Sequence, residues 1–271
     1  MPEADRTEAQ IADLKADLAL LEGAARQAGA LALGYFGRDP RNWLKEGKSP
    51  VSEADLAVDK LLAEVLLRAR PDYGWLSEET ADTPDRLSRS RAFIVDPIDG
   101  TRAFLAGGEE WTIALAVVED GMPQTGAVFC PVRDEMFLAA RGLGVTLNGA
   151  PIQASDRPSV QGASLTGPHS IVANAGVQAA GFERSENLRS LAYRIAMVAV
   201  GRVDVAAARP NANDWDLAAA DLLVQEAGGR LTDFTGAGLM YNQRSTRHPA
   251  LLAAPLQLVD PARAVLSEQV G

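Results

Sequence analysis

Residues Ala92–Trp111 read AFIVDPIDGTRAFLAGGEEW. The apolar run Phe93-Ile94-Val95 has the pattern of a short buried strand. It stops at Asp96-Pro97, because proline has no amide hydrogen and its ring disfavours helical backbone at the preceding residue. Two acids, Asp96 and Asp99, therefore crowd a strand's end. Gly100 and Thr101 then open a helix or tight turn, whose unpaired N–H groups and positive dipole end suit a phosphate anion. Carboxylates beside an anion site call for a cation between them. A plainer reading stands next to this one. Asp-Pro and Asp-Gly are ordinary turn dipeptides, and an aspartate ending a strand often caps the following helix. The stretch by itself does not choose between the two, so acids elsewhere in the chain must.

Upstream, residues 8–37 read as a long amphipathic helix, with Ile11, Leu14, Leu18, Leu21, Ala25 and Ala28 at three- and four-residue steps, ended by Asp39-Pro40. A loop with Lys45 and Lys48 follows, and loop lysines are by default solvated charges of little energetic weight. Ser52 starts a second helix running to about Arg70, and Ser52-Glu53-Ala54-Asp55 has the form of a capping box in which Asp55 reaches back to the Ser52 amide. Tyr73 to Leu76 then looks like a strand leading into Ser77-Glu78-Glu79-Thr80.

Downstream, segments 112–118, 124–130, 135–140 and 145–147, with turns at Asp120-Gly121 and Asn148-Gly149, predict an antiparallel meander with the two helices against it. The polar, proline-bearing stretch 151–158 is the best candidate boundary, dividing the chain into an α+β unit, 1–150, and an α/β unit, 151–271. In the second unit, 163–166, 203–208, 230–234 and 251–254 read as strands. Helices are expected at 188–200, at 214–227 closed by Gly228-Gly229, and at 260–268 on the surface.

Composition narrows the function classes. With 47% hydrophobic and 23% charged residues over 271 positions, the chain has the make-up of a globular protein with a sizeable core. A net charge of −10 argues against a nucleic-acid surface and makes small cations, including metal ions, the more natural guests. Cys130 is the only cysteine, so neither an intrachain disulfide nor a thiolate cluster can form. The two histidines, His169 and His248, do not make a zinc site, which leaves oxygen ligands and the metals that prefer them. The first ten residues are polar and no apolar run approaches the roughly 18 residues of a membrane span, so a soluble, cytoplasmic protein is expected.

Four groups of acids stand at element boundaries: Asp55, Glu78 with Glu79, Asp96 with Asp99, and Asp214 with Asp216. On the segments WLSEE (75–79), DPIDGT (96–101) and WDLAAAD (215–221) followed by EAGG (226–229), in that order, the chain resembles the inositol monophosphatase superfamily of magnesium-dependent, lithium-sensitive phosphatases. The resemblance covers essentially the whole chain and implies a layered αβαβα sandwich of the inositol monophosphatase/fructose-1,6-bisphosphatase type. It also implies a homodimer. Glu78, Asp96, Asp99 and Asp216, with the Ile98 carbonyl, become the expected metal ligands, Asp96 bridging two ions. The resemblance further implies two or three Mg²⁺ ions, with Mn²⁺ as a substitute and Li⁺ and Ca²⁺ as inhibitors.

Catalysis would rest on Asp55, Thr101 and Glu78, the Thr101 hydroxyl and Asp55 orienting the attacking water, while Gly100 and Thr101 amides and Asp99 meet the substrate. No covalent phosphoenzyme is expected, since no cysteine or histidine lies in these motifs. For the ester itself, Arg209 stands seven residues before Asp216, where inositol phosphatases usually carry a glutamate. A donor-only cation there suits a second phosphate, and Arg194 is a further candidate, as is Arg102. Tyr193 either stacks on a base or fills core. SPVSEADLAVD and DPIDGTRAF also resemble bacterial 3′(2′),5′-bisphosphate nucleotidases, which makes adenosine 3′,5′-bisphosphate the first expectation. Inositol-1-phosphate and histidinol phosphate are the alternatives, and a protein or RNA-polymerase partner with a vestigial site is the non-catalytic one.

Overall fold

A computed structural model describes residues 6–45, 50–186 and 188–270. Lys48 falls outside them. The chain opens with α1 (Glu8–Leu33), whose first turn is closed by a capping box between Thr7 and Gln10. This helix stops at Leu33 rather than continuing to 37, because the following turn swings Phe36 inward to pack 5.6 Å, centroid to centroid, from both Phe104 and Trp111. Two short strands, β1 (Asn42–Leu44) and β2 (Pro50–Ser52), pair antiparallel before α2 (Glu53–Ala69).

One sheet of seven strands follows in sequence order: β3 (Gly74–Ser77), β4 (Arg91–Asp99), β5 (Thr112–Glu119), β6 (Met122–Cys130), β7 (Glu135–Ala140), β8 (Gly144–Leu147) and β9 (Ala150–Pro151). It is the expected meander with one correction: β3 and β4 run parallel, joined by a connection that includes a short 3-10 helix, Pro84–Ser88. That departure matters for the site. Parallel pairing puts the C-terminal ends of both strands, and hence Glu78 and Asp96, at one edge; the Glu78 amide extends the ladder by donating to the Val95 carbonyl at 3.2 Å. A five-residue helix, α3 (Thr101–Leu105), leaves the end of β4.

Residues 152–163 carry no strand or helix. Beyond them come β10 (Ser164–Thr166), α4 (His169–Val172), α5 (Ala175–Ala179), β11 (Glu183–Arg184), α6 (Leu191–Ala199), β12 (Val205–Ala208), α7 (Asp214–Glu226), β13 (Gly229–Asp233), β14 (Leu251–Pro255) and α8 (Leu256–Val270). The five strands form a second, mixed sheet in the order β11-β10-β12-β14-β13.

Strand alternation builds three cores in a layered αβαβα arrangement. Phe93, Val95, Ile113, Leu115 and Val117 face α1 and α2. Their neighbours Ile94, Ala114, Ala116 and Val118 face the middle helices α6 and α7, which the second sheet covers from the other side with Ala206, Ala208, Leu251 and Ala253. The opposite face of that sheet, with Val205, Ala207, Leu252 and Ala254, lies under α4, α5 and α8. Accordingly α8 is not only a surface helix: it begins at Leu256 and buries Leu258, Val259, Ala262 and Leu266 on one stripe. The α7 helix sits close on the first sheet because Gly126 presents no side chain; a Cβ there would stand 2.9 Å from the Ala219 carbonyl oxygen.

Candidate active site

The edge where β3 and β4 end is also where α2, α3, α6 and α7 begin, and the acids gather there. One carboxylate oxygen from each of Asp96, Asp99 and Asp216 lies within 4.8 Å of the others. Asp96 is 1% exposed and Asp99 6%. At an effective dielectric near 20, two like charges about 4 Å apart repel by roughly 4 kcal/mol, so a cluster of this kind does not stay ionised without counter-charge. Burial first, and then the mutual repulsion of Glu78, Asp99, Asp216 and Asp55, pushes the Asp96 carboxyl well above the usual range. Asp216 is driven up in the same way, by burial and then by Asp99. Burial raises Asp99 and Glu78 as well. An oxygen-only, buried, mutually repelling donor set fits a hard divalent cation such as magnesium, which relieves the very repulsion that raises these groups.

Asp55, Asp99 and Asp216 are each held by the start of a helix, and Asp96 by its own strand. Asp96 accepts the Ile98 amide at 3.0 Å within the irregularity where the register of β4 against β5 shifts between Asp96 and Asp99, so the strand runs on past Pro97 instead of stopping there. Asp99 is gripped by the N-terminus of α6: its Oδ2 accepts the Ser190 hydroxyl at 2.5 Å and the Ala192 amide at 2.7 Å. Asp216 is the third residue of α7, and its Oδ2 accepts the Asn213 amide at 2.6 Å in a capping box. Asp55 does the same for α2, its Oδ2 taking the Ser52 amide at 2.8 Å and hydroxyl at 2.6 Å. Its other oxygen, Oδ1, lies 3.2 Å from the Thr101 hydroxyl, which is also 3.1 Å from the Ile98 carbonyl oxygen. The capping and chemical readings of Asp55 and Asp216 are thus compatible, because one carboxylate has two oxygens. Gly100, at φ +94°, makes the left-handed corner between β4 and α3, and Ser190 and Glu110 pack too closely there for a side chain.

The acids floor a cleft of about 680 Å³ whose walls include Arg102, His169, Arg189, Arg194 and Arg209. Arg209 reaches it from the end of β12, with Nε and Nη2 donating to the Ser170 hydroxyl at 3.3 and 2.9 Å. Arg194 differs: it is 8% exposed, and its Nε, Nη1 and Nη2 donate to the carbonyls of Leu188 and Ala207. It bears on the cluster as a buried positive charge facing Asp99. Tyr193 fills core, fully buried, with its hydroxyl on Glu135 at 2.6 Å. Lys45 corrects the expectation of a solvated loop charge. Its ammonium lies 2.6 Å from Glu79 and 3.3 Å from Glu78, placing a cation at the rim of the acid cluster. Sequence reading also passed over Ser190, although a serine directly before an apolar helical run is the signature of an N-cap.

The sequence profile of the inositol monophosphatase family matches residues 13–263. The chain belongs to this family. Among curated relatives, the histidinol-phosphatase of Mycobacterium tuberculosis is 36% identical over 236 residues, 81% of this chain and 88% of that protein. The Nus factor SuhB of Xylella fastidiosa is 33% identical over 225 residues, covering 79% and 80%. Among solved structures, an IMPase of Thermotoga maritima superposes with a TM-score of 0.82 at 29% identity, covering 94% of this chain and 98% of that one. The inositol monophosphatase family member described here is therefore a phosphomonoesterase by fold and by family. The family is magnesium-dependent in general, in keeping with the acid cluster. No described helix is long and apolar enough to cross a membrane.

Proposed function

We propose that this phosphatase hydrolyses a small phosphate monoester carrying a second anionic group, with adenosine 3′,5′-bisphosphate as the first candidate, in a site where Glu78, Asp96, Asp99 and Asp216 with the Ile98 carbonyl hold magnesium. Bound there, magnesium supplies the positive charge that keeps the carboxylates ionised together and makes water acidic enough to attack phosphorus near neutral pH. The chain's own contribution is positioning. Asp55, through the Thr101 hydroxyl 3.2 Å away, orients the attacking water and receives its proton. Amides at the start of α3, those of Gly100 and Thr101, donate to the phosphate oxygens.

The single observation behind the choice of ester is the cationic wall: Arg102, Arg189 and Arg209 line the same cleft as the acids, with His169 beside them. Guanidinium groups pair with phosphate oxygens through two parallel charge-assisted hydrogen bonds, which a hydroxyl in place of a second phosphate does not offer. A cleft of about 680 Å³ falls within the usual range of small-molecule sites, roughly 300–1,000 Å³. The test is magnesium-dependent phosphate release from adenosine 3′,5′-bisphosphate, inositol-1-phosphate and histidinol phosphate side by side. The bisphosphate should have the highest kcat/KM, and Arg209→Glu should lower its ratio to inositol-1-phosphate by at least about tenfold, the loss of one charge-assisted pair. A preference for either alternative ester, unmoved by Arg209→Glu, overturns the assignment of substrate while leaving the phosphatase intact.

A further inference from the structure

The helix that carries Asp216 begins under load. Its first turn brings that carboxylate to within 4.8 Å of those of Asp96 and Asp99, and like charges at such range push apart. The body of the helix is packed between the two sheets, and its first turn is tied besides by the segment Tyr241–His248, which has no helix or strand of its own beyond a single bridge.

This strap is stitched to the residues just before and at the start of α7. Asn213 and Arg247 form an antiparallel bridge. The His248 amide donates to the Ala212 carbonyl at 2.8 Å, and the Asp214 amide to the Thr246 carbonyl at 2.9 Å. Asp214 itself is fully buried, with both oxygens engaged by the strap: Oδ1 lies 2.7 Å from His248 Nε2, and Oδ2 accepts the Asn242 amide at 2.7 Å. A buried carboxylate with two strap partners is costly to leave half satisfied, so Asp214 locks strap and helix together.

The other end of the strap is tied to the opposite side of the site. Arg86, 2% exposed, donates to the Asn242 side-chain oxygen at 2.7 Å and to the Gln243 carbonyl at 2.9 Å. Arg86 lies in the connection that follows Glu78 and leads into β4, and its backbone packs on β3 so closely that a Cβ on Gly74 would stand 2.9 Å from the Arg86 Cα. The strap therefore links the segment bearing Glu78 to the helix bearing Asp216, behind the cleft and outside its lining.

We propose that His248 and Asn242 are positioning residues for the metal site: through Asp214 and Arg86 they fix the separation of Asp216 from Glu78 and hold it against carboxylate repulsion. This rests on the metal-ligand assignment above. The test uses Mn²⁺ alone, titrated into the metal-free full chain and followed by electron paramagnetic resonance, with melting temperature recorded in parallel. His248→Phe keeps a ring but removes the hydrogen-bond partner of Asp214 Oδ1. Asn242→Gly removes the side-chain oxygen that accepts from Arg86, at a position whose φ of +55° suits glycine, and keeps the backbone amide that donates to Asp214. Outer-layer partners of metal ligands typically contribute about 10- to 100-fold in affinity, so each variant should bind Mn²⁺ at least about tenfold more weakly. His248→Gln, whose amide can donate to Asp214, should recover most of that loss.

Mn²⁺ affinity unchanged in both His248→Phe and Asn242→Gly overturns the proposal. So does equal weakening in His248→Phe and His248→Gln, which would mark His248 as packing only. If His248→Phe does not fold, Asn242→Gly decides alone by the same criterion. A wild-type chain that binds no Mn²⁺ overturns the metal-site reading itself, a result distinct from all of these.

Discussion

Asp221 offers a direct test of how burial alone sets a carboxyl group in this fold. It lies on α7 facing away from the acid cluster, 2% exposed, with Oδ1 accepting the Gln225 amide at 2.8 Å and Oδ2 accepting the Tyr241 hydroxyl at 2.9 Å. Burial pushes it up from 3.8 to about 6, against the opposing pull of those two donors and of Arg141. The folded chain thus keeps a proton that the unfolded chain releases. The contribution to stability is fully present below the unfolded value, fades as pH rises toward about 6, and is absent above it. At 1.36 kcal/mol per pKa unit the gap corresponds to about 3 kcal/mol. Asp221→Asn is close in shape and neutral throughout. Its amide oxygen can still accept from Tyr241, and Gln225 can turn its carbonyl toward the new amide. In urea denaturation at fixed magnesium between about pH 3 and 8, the variant should match the wild type at the acidic end, below the unfolded value of 3.8. It should then become more stable by up to about 3 kcal/mol at the basic end. The acid cluster contributes equally to both proteins, so their difference isolates Asp221. Parallel curves across the range would refute the reasoning.

Three further outcomes follow from the geometry. Asp96→Asn should lower turnover by at least about a thousandfold with the melting temperature held or raised, since a repelling charge leaves the cluster; comparable turnover with normal magnesium dependence removes Asp96 from the site. Thr101→Val should reduce kcat by about a hundredfold or more while leaving KM within a few-fold, measured on the best ester of the panel; a change confined to KM contradicts the water-orienting role. Gly126→Ala places a methyl 2.9 Å from the Ala219 carbonyl oxygen and should cost about 1–3 kcal/mol, read as a lowered denaturation midpoint; an unchanged midpoint means that α7 yields freely.

Much of this molecule is legible in its sequence because periodicity and chemistry coincide. The Gly100 corner and the capping boxes at Ser52 and Asn213 are local events, governed by glycine's freedom and short side-chain bonds; the expected stop at Asp96-Pro97 is not there, because β4 absorbs the proline in a register shift and runs on to Asp99. What escaped is what only tertiary contact decides. The parallel pairing of β3 and β4 depends on where the connection through Pro84–Ser88 runs, not on either strand's own residues. Lys45 becomes part of the site only because Glu79, 34 positions away, meets it. Arg194 sits on a helix as any surface arginine could, and only the fold turns its guanidinium onto the Leu188 and Ala207 carbonyls. The bond between His248 and Asp214 spans 34 residues with no motif to announce it.

The capping boxes of α2 and α7 have a consequence for engineering. Asp55 closes α2 with one oxygen while the other meets Thr101, and Asp216 closes α7 while its carboxylate stands in the acid cluster. Fraying of either first turn is then a loss of catalytic competence, not a harmless local excursion, since the same side chain leaves both posts at once. Thermal inactivation should consequently precede global melting, and amide exchange at Asp55 and Asp216 should report the fraction of molecules able to turn over. Ser52 and Asn213, which complete these caps, are accordingly positions where replacement by alanine should lower the temperature of inactivation before that of melting.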